Sequence, residues 1–227
     1  MGHQAAKPTA GTGLSPHPLA LAGLLLLAVG LAFLPLRHSG YVQDDELAVE
    51  RNRIVERGNL AEIFSTSYWE GARGADRTLY RPIVILSYAL ERRLTAEPSP
   101  LVSQVVNIAI HLLTTAALGA LLWRVGGGRI AAWTAAALFA VHPVHVEAVA
   151  NIVGRAEMLA ALFTLVALGL LSASGPWGGR APRHPRAAAW GAGLALFLAL
   201  GSKEVAFAAP PLMVALELLF RPAPNGR

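Results

Sequence analysis

The sequence predicts an all-α polytopic membrane protein, with about six transmembrane helices and a long first extracytoplasmic loop. Three observations lead there. The 227 residues are 54% hydrophobic and only 15% charged, whereas a soluble domain carries about 25% charged residues. The apolar residues gather into runs that approach the roughly 20 residues a bilayer-crossing helix needs. The arginines flank those runs, so the net charge of +5 reads as membrane topology and not as a nucleic-acid surface. This composition excludes an ordinary cytosolic enzyme, a disordered tail and a coiled coil. With no cysteine, a disulfide framework, a thiolate nucleophile and a thiolate metal site are excluded as well.

In chain order, residues 1–18 are expected to form a cytoplasmic tail, and 19–36 the first transmembrane helix. The 19–36 run is free of charge, follows a thin basic start (Lys7) and lacks a small-x-small cleavage site after Leu36, so it reads as an uncleaved signal anchor. Residues 37–100 form the extracytoplasmic loop, with short helices expected near 45–57 and over 82–90. The 82–90 segment is too short to span and suits the bilayer surface. Further spans are expected within 101–220, at 101–123, from 130–141, from 158–171, and at 187–200 and 205–220. Several are short, so polar residues at their ends dip below the interface. Residues 221–227 complete the chain as a second cytoplasmic tail.

Charge orients this set. The connections 124–129 and 172–186 and the tail 221–227 hold Arg124, Arg129, Arg180, Arg183, Arg186, Arg221 and Arg227 with no acidic residue. These alternate connections face the cytoplasm by the positive-inside rule. The 37–100 loop, the 142–157 turn and the Lys203-Glu204 turn then share the opposite, extracytoplasmic or lumenal face. Asp44, Asp45, His142, His145, Glu147, Arg155, Glu157, Lys203 and Glu204 therefore meet at one membrane boundary. Ionisable groups near hydrocarbon are costly and point to function, although each alone is also a plausible helix end or snorkelling group.

The individual motifs limit the chemistry. His142-Pro143-Val144-His145-Val146-Glu147 has two imidazoles and a carboxylate but not the His-Glu-x-x-His pattern; helix-end contacts or donors to a ligand's oxygens fit it better than a metal site. Arg155, within Gly154-Arg155-Ala156-Glu157, either pairs with Glu157 at the surface or offers its planar fork to a phosphate. Lys203 in Ser202-Lys203-Glu204 has the same two readings. Gly126-Gly127-Gly128 lacks the Lys-Ser/Thr of a phosphate-cradling loop. His111, inside an apolar run, reads as a buried hydrogen-bonding group.

Several runs together resemble a known family. The acidic pair Asp44-Asp45 is followed by Tyr80-Arg81-Pro82 and by Val106-Asn107-Ile108-Ala109-Ile110-His111. Then come Leu138-Phe139-Ala140-Val141-His142-Pro143-Val144-His145-Val146-Glu147-Ala148-Val149, Gly154-Arg155-Ala156-Glu157 and Ser202-Lys203-Glu204. In this order they resemble the membrane half of the transmembrane, TPR-repeat-containing O-mannosyltransferases and their bacterial TPR-protein relatives.

The resemblance implies a partial GT-C-like fold and transfer of a sugar, mannose in the O-mannosyltransferases, from a polyprenyl-phosphate donor to a hydroxyl, such as Ser or Thr of exported proteins. It also implies Asp44 or Asp45 as catalytic base. Beside the resemblance, the chemistry of the step needs positive charge at the departing phosphate: Arg155, Lys203, His142 and His145 would hold it, supported by Glu147, Glu157, Glu204 and Arg81. Its partners would be the bilayer, the lipid-linked sugar as donor substrate and the exported acceptor, with no nucleic acid; no cofactor is assigned, and a divalent metal is the less favoured alternative. Family members have about twice as many spans and carry 34-residue repeats, so this chain is expected to be an N-terminal portion. A non-catalytic anchor or scaffold is the alternative reading. A small transporter would instead place charged or broken segments near the midplane.

Overall fold

The helix at the centre of the structure turns the usual amphipathic pattern inside out. In this computed structural model, which describes residues 18–35, 39–73, 79–95, 97–126, 128–174 and 184–220, helix α6 (Pro100–Arg124) buries Ser103, Asn107, His111, Thr114 and Thr115. It exposes Leu101, Val105 and Leu113. A three-to-four-residue polar stripe facing inward, with leucine and valine outside, suits a hydrocarbon environment. The expected tails, apart from Pro18, and residues 175–183 with Arg180 and Arg183, lie outside the described residues.

The described residues are helical, with no strand among them. Helix α1 (Pro18–Phe33) precedes the loop subdomain, which contains a π-helical turn (Glu46–Glu50), α2 (Arg53–Arg57), α3 (Leu60–Ser65), α4 (Glu70–Arg73) and α5 (Pro82–Thr95). After α6 come α7 (Arg129–Val141), α8 (Val146–Ala150), α9 (Arg155–Ser174), α10 (Pro185–Leu200) and α11 (Ala209–Phe220). Helix α9 packs between α6 and α10; α7 lies on α6, and α1 touches both α6 and α7.

Two segments, Pro100–Arg124 and Ile152–Ser172, are long and apolar enough to cross a membrane. The other expected spans are apolar but shorter: Gly23–Phe33, Arg129–Val141, Pro185–Leu200 and Glu204–Ala215. Length and composition therefore do not by themselves make six spans. Local chemistry explains the shortfall. Helix α7 is bounded by Gly128 (φ 70°) and by His142, held extended before Pro143. Its 13 residues rise only about 20 Å. The 205–220 run is divided: a 3-10 turn at Glu204–Ala208 precedes α11, whose Pro210 and Pro211 are tolerated only in a first turn.

The loop helices also differ from expectation. The 45–57 stretch breaks at Asn52, whose Oδ1 accepts from the N–H groups of Ile54 (3.0 Å) and Val55 (3.3 Å) and so starts α2 afresh. Helix α5 continues beyond residue 90 to Thr95, and Arg93 reaches the Gly58 carbonyl at 2.8 Å. Rather than an isolated surface segment, α5 is a packing element. It buries Val84, Ile85, Tyr88 and Glu91 and contacts α6 and α9. Its first turn is tied to the α10–α11 connection by Ile83 N–H donating to Gly201 O at 3.1 Å.

Candidate active site

Three connections meet at one end of the helices. Tyr88 Oη donates to Ile152 O at 3.0 Å, fastening the loop subdomain to the turn between α8 and α9. The Ile83–Gly201 bond fastens it to the turn after α10. Between them lies a cleft of about 290 Å³, lined by Asp44, Tyr68, Trp69, Arg81, Glu147, Asn151, Gly154 and Glu157 among others. Four residues singled out from the sequence thus share one cavity: Asp44, Arg81, Glu147 and Glu157.

Two more hold its rim. Arg81 meets Glu204 through two bonds, Nε to Oε1 at 3.2 Å and Nη2 to Oε2 at 2.8 Å. Lys203 pairs with Glu157. The Arg81 hydrogen bond holds the Glu204 carboxyl below the usual glutamate range, against the opposing effect of burial. Arg73 lies 3.5 Å from Asp44 and 4.5 Å over the Trp69 ring, so one cation bridges the acid and the aromatic wall.

The adjacent aspartates have different surroundings. Asp44 lines the cleft, with its side chain 55% exposed. Asp45 is buried; its Oδ1 accepts from Val153 N–H at 2.9 Å and its Oδ2 from Val42 N–H at 3.3 Å. Burial raises the Asp45 carboxyl above the ordinary aspartate range, and the backbone N–H groups of Val153, Val42 and Ile152 oppose that rise. Asp45 thereby anchors the cleft wall and Asp44 faces the cavity.

Arg155 requires a correction. It is neither an exposed partner of Glu157 nor offered to a ligand, but fully buried. Its Nη2 donates to Glu91 Oε2 at 2.8 Å and to Ser103 O at 3.0 Å, and its Nε to Asn107 Oδ1 at 2.8 Å. The guanidinium also lies 4.5 Å over the Tyr88 ring. Asn107 in turn donates toward the carbonyls of Val149, Asn151 and Ile152 at 3.2–3.4 Å. This network sets the shape of the 149–154 wall. At Gly154 an added Cβ would collide with the Ala148 carbonyl, so the turn closes only on glycine.

The histidines also lie apart from the cavity lining. His142 Nδ1 accepts from Val144 N–H at 3.2 Å, a local cap. His145 packs 4.1 Å from the Phe139 ring and 5.3 Å from that of His111. Burial, followed by the neighbouring His111 and His142, lowers its pKa below the usual histidine range. His111 is buried, with Nε2 2.9 Å from Ala140 O. Among the described residues, no group of three or more His, Asp or Glu side chains is placed to hold a metal ion.

Sequence reasoning passed over Tyr68, Trp69, Arg73 and Glu91. A signal existed for Glu91, which follows Val84 and Tyr88 at helical spacing on the buried face of α5. An acid in that register needs a buried partner.

Among the described residues, the fold and cleft define an all-helical protein with two helices long and apolar enough to cross a membrane and an acid-rich, cation-rimmed cavity at one end of its helices. The chain is 37% identical over 153 residues to a protein O-mannosyl-transferase of Caenorhabditis elegans, covering 63% of this chain and 22% of that protein. It is 38% identical over 164 residues to the protein O-mannosyl-transferase TMTC1 of Homo sapiens, covering 69% of this chain and 18% of the relative. The corresponding figures for Tmtc1 of Drosophila melanogaster are 33% over 169 residues, 71% and 19%. This makes the chain a homologue of the transmembrane, TPR-containing O-mannosyltransferase family. It spans about a fifth of the length of these curated relatives. No family model and no solved structure matches it.

Proposed function

We propose that this chain supplies the catalytic cleft of a glycosyltransferase that moves mannose from a polyprenyl-phosphate donor to a Ser or Thr hydroxyl of exported proteins. The observation carrying this reading is that Asp44, Arg81, Glu147 and Glu157 line one cavity of about 290 Å³ with Lys203 and Glu204 at its rim. The names of the relatives support the mannosyl group and the protein acceptor.

In this reading α1, α6, α7, α9, α10 and α11 all cross the bilayer, the short ones with their polar ends below the interface. The arginine-bearing connections face the cytoplasm and the cleft faces the opposite side. The lipid-linked donor then approaches sideways from the membrane.

Asp44 removes the proton of the acceptor hydroxyl as its oxygen attacks the anomeric carbon. The bond from that carbon to the phosphate oxygen breaks, and the electron pair leaves on the phosphate. Arg81 and Lys203 stand where that charge develops, which lowers the barrier most where water is excluded. Glu204 and Glu157 hold the two cations in position, while Tyr68 and Trp69 close the wall against the sugar.

The test is sugar transfer by the full-length protein from a polyprenyl-phosphate donor, comparing Asp44→Asn and Asp45→Asn. Loss of the base in Asp44→Asn should reduce turnover by about 10²–10⁴-fold. Unaltered turnover in Asp44→Asn rejects it as the base. No saturable donor binding by the wild type would favour an anchor or scaffold.

A further inference from the structure

Toward the other end of the helices is a second cavity, mostly apolar where the cleft is acidic. It measures about 460 Å³ and lies between α1, α6 and α7, with Leu25, Leu112, Ala116, Ala120 and Ala136 in its walls. The size is that of a ligand pocket. The close α6–α7 approach that shapes it depends on small residues: a Cβ placed on Gly119 would sit 3.2 Å from that of Ala136.

One end of this apolar space is charged and aromatic. Trp123, Arg129 and Trp133 line it there, and the Arg129 guanidinium lies 5.4 Å over the Trp123 ring. Paired tryptophans beside an arginine suit the headgroup level of a bilayer. No acidic residue occurs between Glu97 and Glu147 in the sequence.

We propose that this cavity holds an acyl chain of an anionic phospholipid, with its phosphate against Arg129. Charge complementarity selects the anion, and the apolar walls select the chain. The lipid-linked sugar is a poorer occupant. Helix α7 separates Arg129 from the cleft-lining Val144 by about 20 Å, so a donor phosphate at Arg129 cannot serve the cleft.

Native mass spectrometry of the full-length protein in micelles, with phosphatidylglycerol or phosphatidylcholine added, tests this. Phosphatidylglycerol should be retained about fivefold better, the preference one cation near a bilayer surface provides. Arg129→Gln should erase the preference. Ala120→Phe, which fills the cavity from a partly open wall and alters no charge, should lower retention of both lipids while the thermal midpoint holds. Equal retention of the two lipids by the wild type overturns the proposal, as does retention indifferent to Ala120→Phe. Displacement of phosphatidylglycerol by an equimolar polyprenyl phosphate also overturns it, assigning the cavity to the donor.

Discussion

Arg155–Glu91 below the cleft and Arg81–Glu204 at its rim are pairs of the same side-chain types at the same N–O distance of 2.8 Å. Their surroundings are opposite. The inner pair is 0% and 7% exposed, the outer pair 15% and 48%. The inner charges have lost their water, so each depends on the other and on Asn107, Ser87 and Ser103. At the rim, water can replace Arg81 around Glu204. Distance alone therefore says little about what an ion pair does; burial assigns one to architecture and leaves the other exchangeable with a ligand.

The sharpest way to break this comparison is to remove one inner partner. Arg155→Met strands the Glu91 carboxylate in the interior and should cost about 3–5 kcal/mol. Adding Glu91→Leu should recover most of that loss, because two apolar groups leave no unpaired charge. Denaturant unfolding in micelles measures both variants. A single variant as mild as Glu204→Gln would remove the distinction between floor and rim.

Gly154→Ala tests the wall that the inner network supports. The new methyl meets the Ala148 carbonyl, and overpacking of this kind should cost about 1–3 kcal/mol. Donor binding should weaken with it, since Gly154 lines the cleft. Full retention of stability and binding would show that the 149–154 turn adjusts freely.

Asp45 provides a pH test with a definite sign. Its folded pKa is raised by burial, so the folded state holds its proton more tightly than the unfolded chain. Its contribution to stability is therefore complete below the ordinary aspartate range and declines as pH rises through the raised folded value. The wild-type thermal midpoint measured against that of Asp45→Asn should fall over this window and then level off. A rise over the same window would contradict the burial argument.

The smallest effect belongs to the rim. Arg81 holds Glu204 below its ordinary range, so that stabilisation is present above the ordinary glutamate range and is lost as pH falls through the lowered folded value. With Glu204 half exposed, the pair should contribute less than about 1 kcal/mol and weaken in salt. The difference in midpoint between wild type and Glu204→Gln should be small at neutral pH and disappear in acid. A difference that persists in acid would mean that Glu204 acts by something other than its charge.

Much of this molecule was legible along the chain. Hydropathy located the apolar helices, and the positions of Arg124 and Arg129 marked one end of α6 and α7 as basic. The order of Asp44, Arg81, Glu147, Glu157, Lys203 and Glu204 identified the residues that gather at the other end. Less legible was which of two neighbours faces the cavity. Asp44 and Asp45 are identical in type, and only the position of the Val153 N–H separates an anchored carboxylate from an open one. Arg155 was misread because its partners Glu91, Ser103 and Asn107 lie 48–64 residues away on helices whose contact no local pattern reveals.

By itself the sequence determined an all-helical, hydrocarbon-compatible chain with ionisable turns at one end and arginines at the other, because hydropathy and charge are properties of single residues and short runs. Tertiary structure decided which charges became architecture and which remained available. Burial, which sets the energetic worth of a charge, depends on how distant helices enclose it and has no value until they pack.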